Sequence, residues 1–174
     1  MDWKKQINKV IWVFSGEYEF LSNFYKCEIR DTSIDISKTG RDMIYPSTEN
    51  YYQAQKCRSD AIVMKEPFMN CTPGQAKKLG RKVILRSDWE DVKISVMWDA
   101  LMLKFTQHKH LREKLLDTQF KILIEGNNWG DHFWGADINT LYGENWLGIL
   151  LMDLRSKLRL EETFRKNVGE VYKW

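Results

Sequence analysis

The stretch Tyr45-Pro46-Ser47-Thr48-Glu49-Asn50-Tyr51-Tyr52-Gln53-Ala54-Gln55-Lys56 divides the chain into two kinds of pattern. Upstream, from Ile11 to about Tyr45, the sequence is turn-rich and strand-like. Ile11-Trp12-Val13-Phe14 and Tyr25 to Ile29 are short β-prone runs, and Ile34-Asp35-Ile36 alternates with period two. Asp31-Thr32-Ser33 and Lys38-Thr39-Gly40 punctuate them. Downstream of Pro46 the pattern turns helical, and Ser47 or Thr48 can cap a helix running to about Arg58.

Further helices follow from the same signals. Thr72-Pro73-Gly74-Gln75 combines a cap, a proline at the first helical position and a capping-box glutamine, and that helix ends near Gly80. Ser87 or Asp88 opens a longer one to about Gln107, with Val92, Val96, Ala100 and Leu103 at helical spacing. Leu111, Leu115 and Leu116 mark another, and Phe120 to Ile124 reads as a strand or a buried helical turn. Asn127 to Asp131 is a loop. Asn145 is expected to cap a last helix whose Leu147, Leu150, Leu151, Leu154 and Leu158 make one apolar stripe. The expectation is a helix-dominant α+β fold with a few short strands near the N-terminus. One domain over residues 1–174 is expected, with a core from about 11 to 160 and a tail at 161–174.

Composition excludes several classes. With 13% aromatic residues, only 3 Pro and 10 Gly, the 174-residue chain has ample material to bury. The longest apolar run, Trp146 to Met152, is broken by Gly148 and is far short of the ~20 residues a spanning helix needs. Three cysteines, Cys27, Cys57 and Cys71, form no C-x-x-C pair, and Met1-Asp2-Trp3-Lys4-Lys5 shows no apolar leader. A reduced, cytoplasmic protein is the expectation. A net charge of +3 is too small to argue for wrapping nucleic acid.

Metal and nucleotide motifs are lacking. His108-Lys109-His110 has no third ligand nearby, His132 stands alone, and no Cys/His pair has zinc spacing. There is no P-loop, no dinucleotide fingerprint and no G-x-S-x-G elbow. No cofactor and no metal are expected, so if the protein is a hydrolase its chemistry would have to run on carboxylates, amines and aromatic stacking.

Three segments could supply those. Glu49, Tyr52, Gln53 and Lys56 fall at i, i+3, i+4 and i+7, one helix face carrying a carboxylate, a phenol, an amide and an amine. The bland alternative is that Glu49 complements the helix dipole and Lys56 is a solvated base. Asn128-Trp129-Gly130-Asp131-His132-Phe133-Trp134-Gly135 sets an acid between two tryptophans with two glycines, either a binding loop or an Asx turn. In Phe20-Leu21-Ser22-Asn23-Phe24-Tyr25, Asn23 is a polar group within an apolar stretch, and a buried turn asparagine is the better reading from composition. Of the 8 Trp, most should pack the core and one or two line a pocket.

These segments, with Lys104-Phe105-Thr106-Gln107 and Asn145-Trp146-Leu147-Gly148 followed by Leu151-Met152 and Arg155, resemble the NADAR (YbiA-like) family in order and spacing from about Phe14 to Leu158. His108 stands where asparagine is expected. The resemblance implies an N-glycosidase in a mostly helical fold, which hydrolyses the C–N bond between a base or amine and a phosphorylated ribose. One branch acts on phosphoribosylamino intermediates of riboflavin synthesis and another removes ADP-ribose from guanine in nucleic acid, some members being phage-borne or paired with toxins. On this footing Glu49, Lys56 and Asp131 are the expected catalytic groups. Asn23, Phe24, Tyr52, Gln53, Arg81, Trp89, Trp134, Gly135 and Asn145 are the expected substrate-binding groups. The implied partner is an ADP-ribose-like or phosphoribosyl small molecule, or ADP-ribosylated nucleic acid, and no membrane. A non-catalytic ADP-ribose-binding module and a plain interaction protein using the Trp-rich loop are the competing classes.

Overall fold

The computed structural model describes residues 9–33, 42–58 and 62–171. The alternating run at Ile34-Asp35-Ile36 and the turn at Lys38-Thr39-Gly40 lie outside them. The chain is a helix-dominant α+β fold with short, scattered strands. It divides into two compact units, one made of residues 22–109 and the other of residues 1–21 and 110–174.

The unit 22–109 is built on an antiparallel pair, β2 (Lys26–Arg30) and β3 (Ile44–Ser47), with Ile29 opposite Tyr45 and a register shift between Lys26 and Ile29. Cys27 and Ile29 are buried while Lys26, Glu28 and Arg30 are exposed, the alternation that a half-covered strand requires. Ser47 closes β3 and caps α1 (Thr48–Ala54): its extended backbone lets the hydroxyl accept the Asn50 N–H. A short α2 (Ile62–Lys65) and a 3-10 segment (Glu66–Asn70) lead to α3 (Pro73–Gly80), and α4 (Trp89–Gln107) completes the unit.

Two expectations needed adjustment here. Helix α1 stops at Ala54 rather than Arg58, because Lys56 and Cys57 donate three residues back, to Gln53 and Ala54, and so tighten the chain into a turn. In α4 the buried face is Trp89, Val96, Met97, Ala100, Leu101, Lys104 and Phe105, rotated from the Val92–Leu103 stripe. Within that face Lys104 is fully buried, and its Nζ donates to Ser22 O at 2.8 Å. Gln107 exchanges two hydrogen bonds with the Arg30 backbone, at 3.0 and 2.7 Å, and His108 Nε2 meets Glu28 O at 2.6 Å. The Lys104-Phe105-Thr106-Gln107-His108 block is therefore a latch from the end of α4 onto β2.

In the second unit, β1 (Val10–Ile11) pairs in parallel with β4 (Ile122–Leu123), and β5 (Gly126–Asn127) with β6 (Ala136–Asp137). The chain also forms a 3-10 segment (Gly16–Leu21), α5 (Lys109–Asp117, the first residue belonging to the other unit) and α6 (Trp146–Val171). Leu147, Leu150, Leu151, Leu154 and Leu158 are buried, as the stripe requires. Helix α6 runs on to Val171, so the described part of the segment expected to be a tail is helical. Phe120 is exposed, and the strand begins only at Ile122.

At α3 the capping box forms in full: Thr72 Oγ1 accepts from Gln75 N–H and Gln75 Oε1 accepts from Thr72 N–H. Thr72→Ala should cost about 1 kcal/mol, read from the denaturant midpoint with an unchanged slope. A loss below about 0.3 kcal/mol would mean that the exposed cap is replaced by water without penalty.

Candidate functional site

Every residue of α1 is buried, its polar ones included. Glu49 is 5% and Gln53 4% exposed, so the face expected to be polar is enclosed and its groups need partners. Gln53 Nε2 donates to Glu49 Oε1 at 2.8 Å, one turn apart, which fixes the orientation of the carboxylate. A Cβ at Gly80 would collide with the Gln53 amide, so the end of α3 must be glycine for Gln53 to lie where it does.

Lys56 follows in the tight turn after α1. Its Nζ lies 5.8 Å from the Tyr52 ring centre and 5.6 Å from that of Trp89, and the two rings are 5.1 Å apart. Burial holds the Lys56 amine below the ordinary lysine range. Glu49 and Glu90 oppose that shift, and Lys77 and Arg81 reinforce it. The cationic neighbours are thus Lys77 and Arg81.

Asn23 is buried and its backbone carbonyl accepts the Glu49 N–H at 3.0 Å. Its Nδ2 reaches the Met97 sulfur at 3.4 Å. Among the described residues, Asn23 Oδ1 and Gln53 Oε1 are buried acceptors without a protein donor. Phe24 is half exposed, with the Lys77 ammonium 5.8 Å from its ring centre. Glu49, Tyr52, Gln53, Lys56 and Trp89 therefore form one cluster, with Arg81 in its field and Asn23 bonded to its helix.

The remaining expected residues belong to the second unit. Asp131 Oδ1 accepts the Trp134 N–H at 2.9 Å, and the Asp131 main chain is held by Asn127 through bonds of 3.0 and 2.8 Å. The turn geometry expected as the alternative for Asp131 is thus present. Phe133 packs edge-on to Trp134 with ring centres 4.9 Å apart. At Gly135 a Cβ would run into Glu125 O and the Asn127 amide, so the close approach that glycine permits there is to the protein's own backbone. Asn145 does not cap α6 with its side chain. It has φ of 54°, accepts from Glu125 N–H at 3.0 Å and donates to Leu123 O at 2.9 Å, which ties the helix start to the β4–β5 segment.

Sequence reasoning missed Gly80, Lys77, Glu90 and Asn127. Lys77 and Arg81 do stand four apart at the end of α3, a spacing that places them side by side. Among the described residues, no group of three or more His, Cys, Asp or Glu side chains is arranged to hold a metal ion. None of the described helices is long and apolar enough to cross a membrane.

Comparison with known proteins identifies relatives of the chain. The NADAR domain model matches residues 12–159. The chain is 41% identical over 150 residues to the N-glycosidase YbiA of Escherichia coli, covering 85% of this chain and 86% of that protein. It is 39% identical over 123 residues to an N-glycosidase of Nostoc punctiforme, covering 68% and 78%. A chloroplastic riboflavin biosynthesis protein of Zea mays is 33% identical over 144 residues, 76% of this chain but only 23% of that protein. The NMR structure of Escherichia coli YbiA superposes with a TM-score of 0.71 at 34% identity, covering 88% of this chain and 85% of that one. The chain belongs to the NADAR family, whose YbiA branch consists of N-glycosidases.

Proposed function

We propose that this protein is an N-glycosidase that removes ADP-ribose from modified guanine in nucleic acid, or hydrolyses a related ADP-ribosyl or phosphoribosyl substrate. The observation that carries the reading is the half-buried Lys56 amine lying beside the Tyr52 and Trp89 rings, with the buried Glu49 carboxylate in its field. Breaking an N-ribosidic bond builds positive charge at the anomeric carbon, while the base departs with the bonding electron pair and needs a proton. Glu49 and Asp131 are the two candidates for these roles, one to meet that charge or activate water and the other to supply the proton.

Lys56 opens a covalent route. Its unprotonated amine bonds to the anomeric carbon, the ribose ring opens at its own oxygen, and the base leaves protonated. Water then hydrolyses the resulting imine, returning the amine and the free sugar. Only the neutral amine can attack, and the lowering of its pKa by burial favours that form. Tyr52 and Trp89 offer faces for stacking. Asn23 Oδ1 and Gln53 Oε1, as acceptors without donors, suit ribose hydroxyls, and Lys77 and Arg81 suit phosphate. Trp134, Gly135, Asn145 and Phe24 keep supporting roles in ligand binding on this reading.

A second reading has specific support. Two relatives, from Zea mays and Vibrio vulnificus, are riboflavin biosynthesis proteins, so a phosphoribosylaminopyrimidine is the competing substrate. Incubation with ADP-ribosylated guanosine and with that pyrimidine, followed by mass spectrometry, separates the two. Release of free base from the first supports the primary reading, release only from the second supports the alternative, and neither overturns both.

Two outcomes are expected of variants. Glu49→Gln should lower turnover by ~100-fold or more with the fold retained by circular dichroism. Asp131→Asn, which keeps an acceptor for Trp134 N–H while removing the charge, should fall by at least about tenfold. Near-full activity in either folded variant returns that residue to a structural role. The second outcome concerns pH. The rate should rise with pH through an inflection below 10.5, the unperturbed lysine value. Removing the neighbouring cation by Lys77→Met should move that inflection upward. An inflection that stays in place would show that the titrating group is not Lys56.

A further inference from the structure

Outside the cluster around Glu49, the unit 22–109 buries a second string of polar groups that the chemistry above does not use. Lys65 is 3%, Asp31 5% and Gln55 8% exposed. Lys65 Nζ donates to Gln55 Oε1 at 2.8 Å, and Gln55 Nε2 donates to Asp31 Oδ2 at 3.1 Å. The other Asp31 oxygen accepts from the Ser33 N–H at 3.0 Å and its hydroxyl at 2.6 Å, and Asp31 N–H bonds Met43 O beside the β2–β3 pair. The amide of Gln55 is thus spanned on one side by a cation and on the other by a carboxylate rooted at the sheet.

The position of that amide gives the string its meaning. Gln55 is the residue on which α1 ends, and Lys56 is the next one. Helix ends leave backbone groups without intrahelical partners, so their geometry depends on what holds them. Here the turn is held by its own bonds, by Arg86 N–H donating to Lys56 O at 3.0 Å, and by the Gln55 side chain. Enclosing an ammonium and a carboxylate costs several kcal/mol even after relaxation, and apolar side chains would fill the same space without that cost. A network kept in spite of it is suited to fixing one geometry.

We propose that Lys65, through Gln55 and Asp31, is a positioning residue for Lys56, clamping the turn so that the Lys56 amine stays beside Tyr52 and Trp89. The proposal rests on the reading of Lys56 as the reacting amine, but its test does not need turnover.

Lys56 can be titrated directly. Trace acetic anhydride competes among the lysines across a pH series, and peptide mass spectrometry reports the labelling of each, with the exposed Lys82 as internal reference. The charged groups that act on the Lys56 amine are Glu49, Glu90, Lys77 and Arg81, none of which the variants touch. In Lys65→Met a loosened turn should hydrate Lys56, so that its inflection rises toward 10.5, the unperturbed lysine value, while the wild type stays below. With an active substrate, kcat should fall ~100-fold with KM changed less than about threefold, the signature of a misplaced reacting group. Lys65→Arg, which keeps a cationic donor for Gln55, should restore most of both. Should Lys65→Met not fold, Asp31→Asn/Lys65→Met removes both buried charges together and is read by the same labelling. A Lys56 titration unchanged from wild type in the folded variant overturns the proposal, whatever happens to kcat. A raised inflection in a protein that hydrolyses neither substrate supports the clamp and contradicts the reading of the site instead.

Discussion

The constraint that organises the unit 22–109 is the enclosure of α1 on every side. A helix of seven residues, all buried, has too few internal hydrogen bonds to stand by itself. It also cannot leave a carboxylate and two amides unsatisfied in the interior. Most of its polar groups are therefore given partners, Thr48 Oγ1 and Gln53 Oε1 excepted. Ser47 and Asn50 exchange bonds at the N-terminus, and Asn50 Nδ2 reaches the carbonyls of Phe68 and Cys71 at 2.8 Å each. Gln53 holds Glu49, and Gln55 joins Asp31 to Lys65. The helix is less a scaffold element than a rack of oriented polar groups.

The consequences reach the amine that follows it. Because α1 tightens at Gln55, Lys56 leaves the helix at a fixed point, where burial and the Lys77 and Arg81 cations act on it together. A lysine in the same sequence position on a solvated helix would titrate like any other. The buried aromatic pair Tyr52 and Trp89 packs beside that amine. Packing and chemistry here use the same side chains, so selection on one constrains the other.

Much of this was legible from spacing. Ser47 as a cap, the Thr72–Gln75 box, the start of α4 at Trp89 and the leucine stripe of α6 all rest on local rules, and local rules hold where the relevant partner is within a turn. What spacing could not supply was burial. The face Glu49–Gln53 reads as solvated or functional with equal ease until α3 and α4 are seen to cover it. Likewise Lys104 reads as a surface base, whereas its ammonium is fully buried against Ser22 O, 82 residues away in sequence. The same gap explains Asn145, whose left-handed backbone and long-range amide bonds look, in sequence, like a helix cap. The family resemblance carried information that these rules do not, because it drew on the order of five separated blocks.

The proposed chemistry turns on Lys56 as a positioned amine, its pKa lowered by burial, able to bond covalently to the anomeric carbon. Sodium borohydride added during turnover reduces an imine to a stable secondary amine, and peptide mapping locates it. A reduced ribosyl adduct is expected on Lys56 in the wild type and none in Lys56→Arg, which keeps the charge but has no amine nucleophile. Base release at the wild-type rate by Lys56→Arg, with no adduct trapped on Lys56 in either protein, would contradict it.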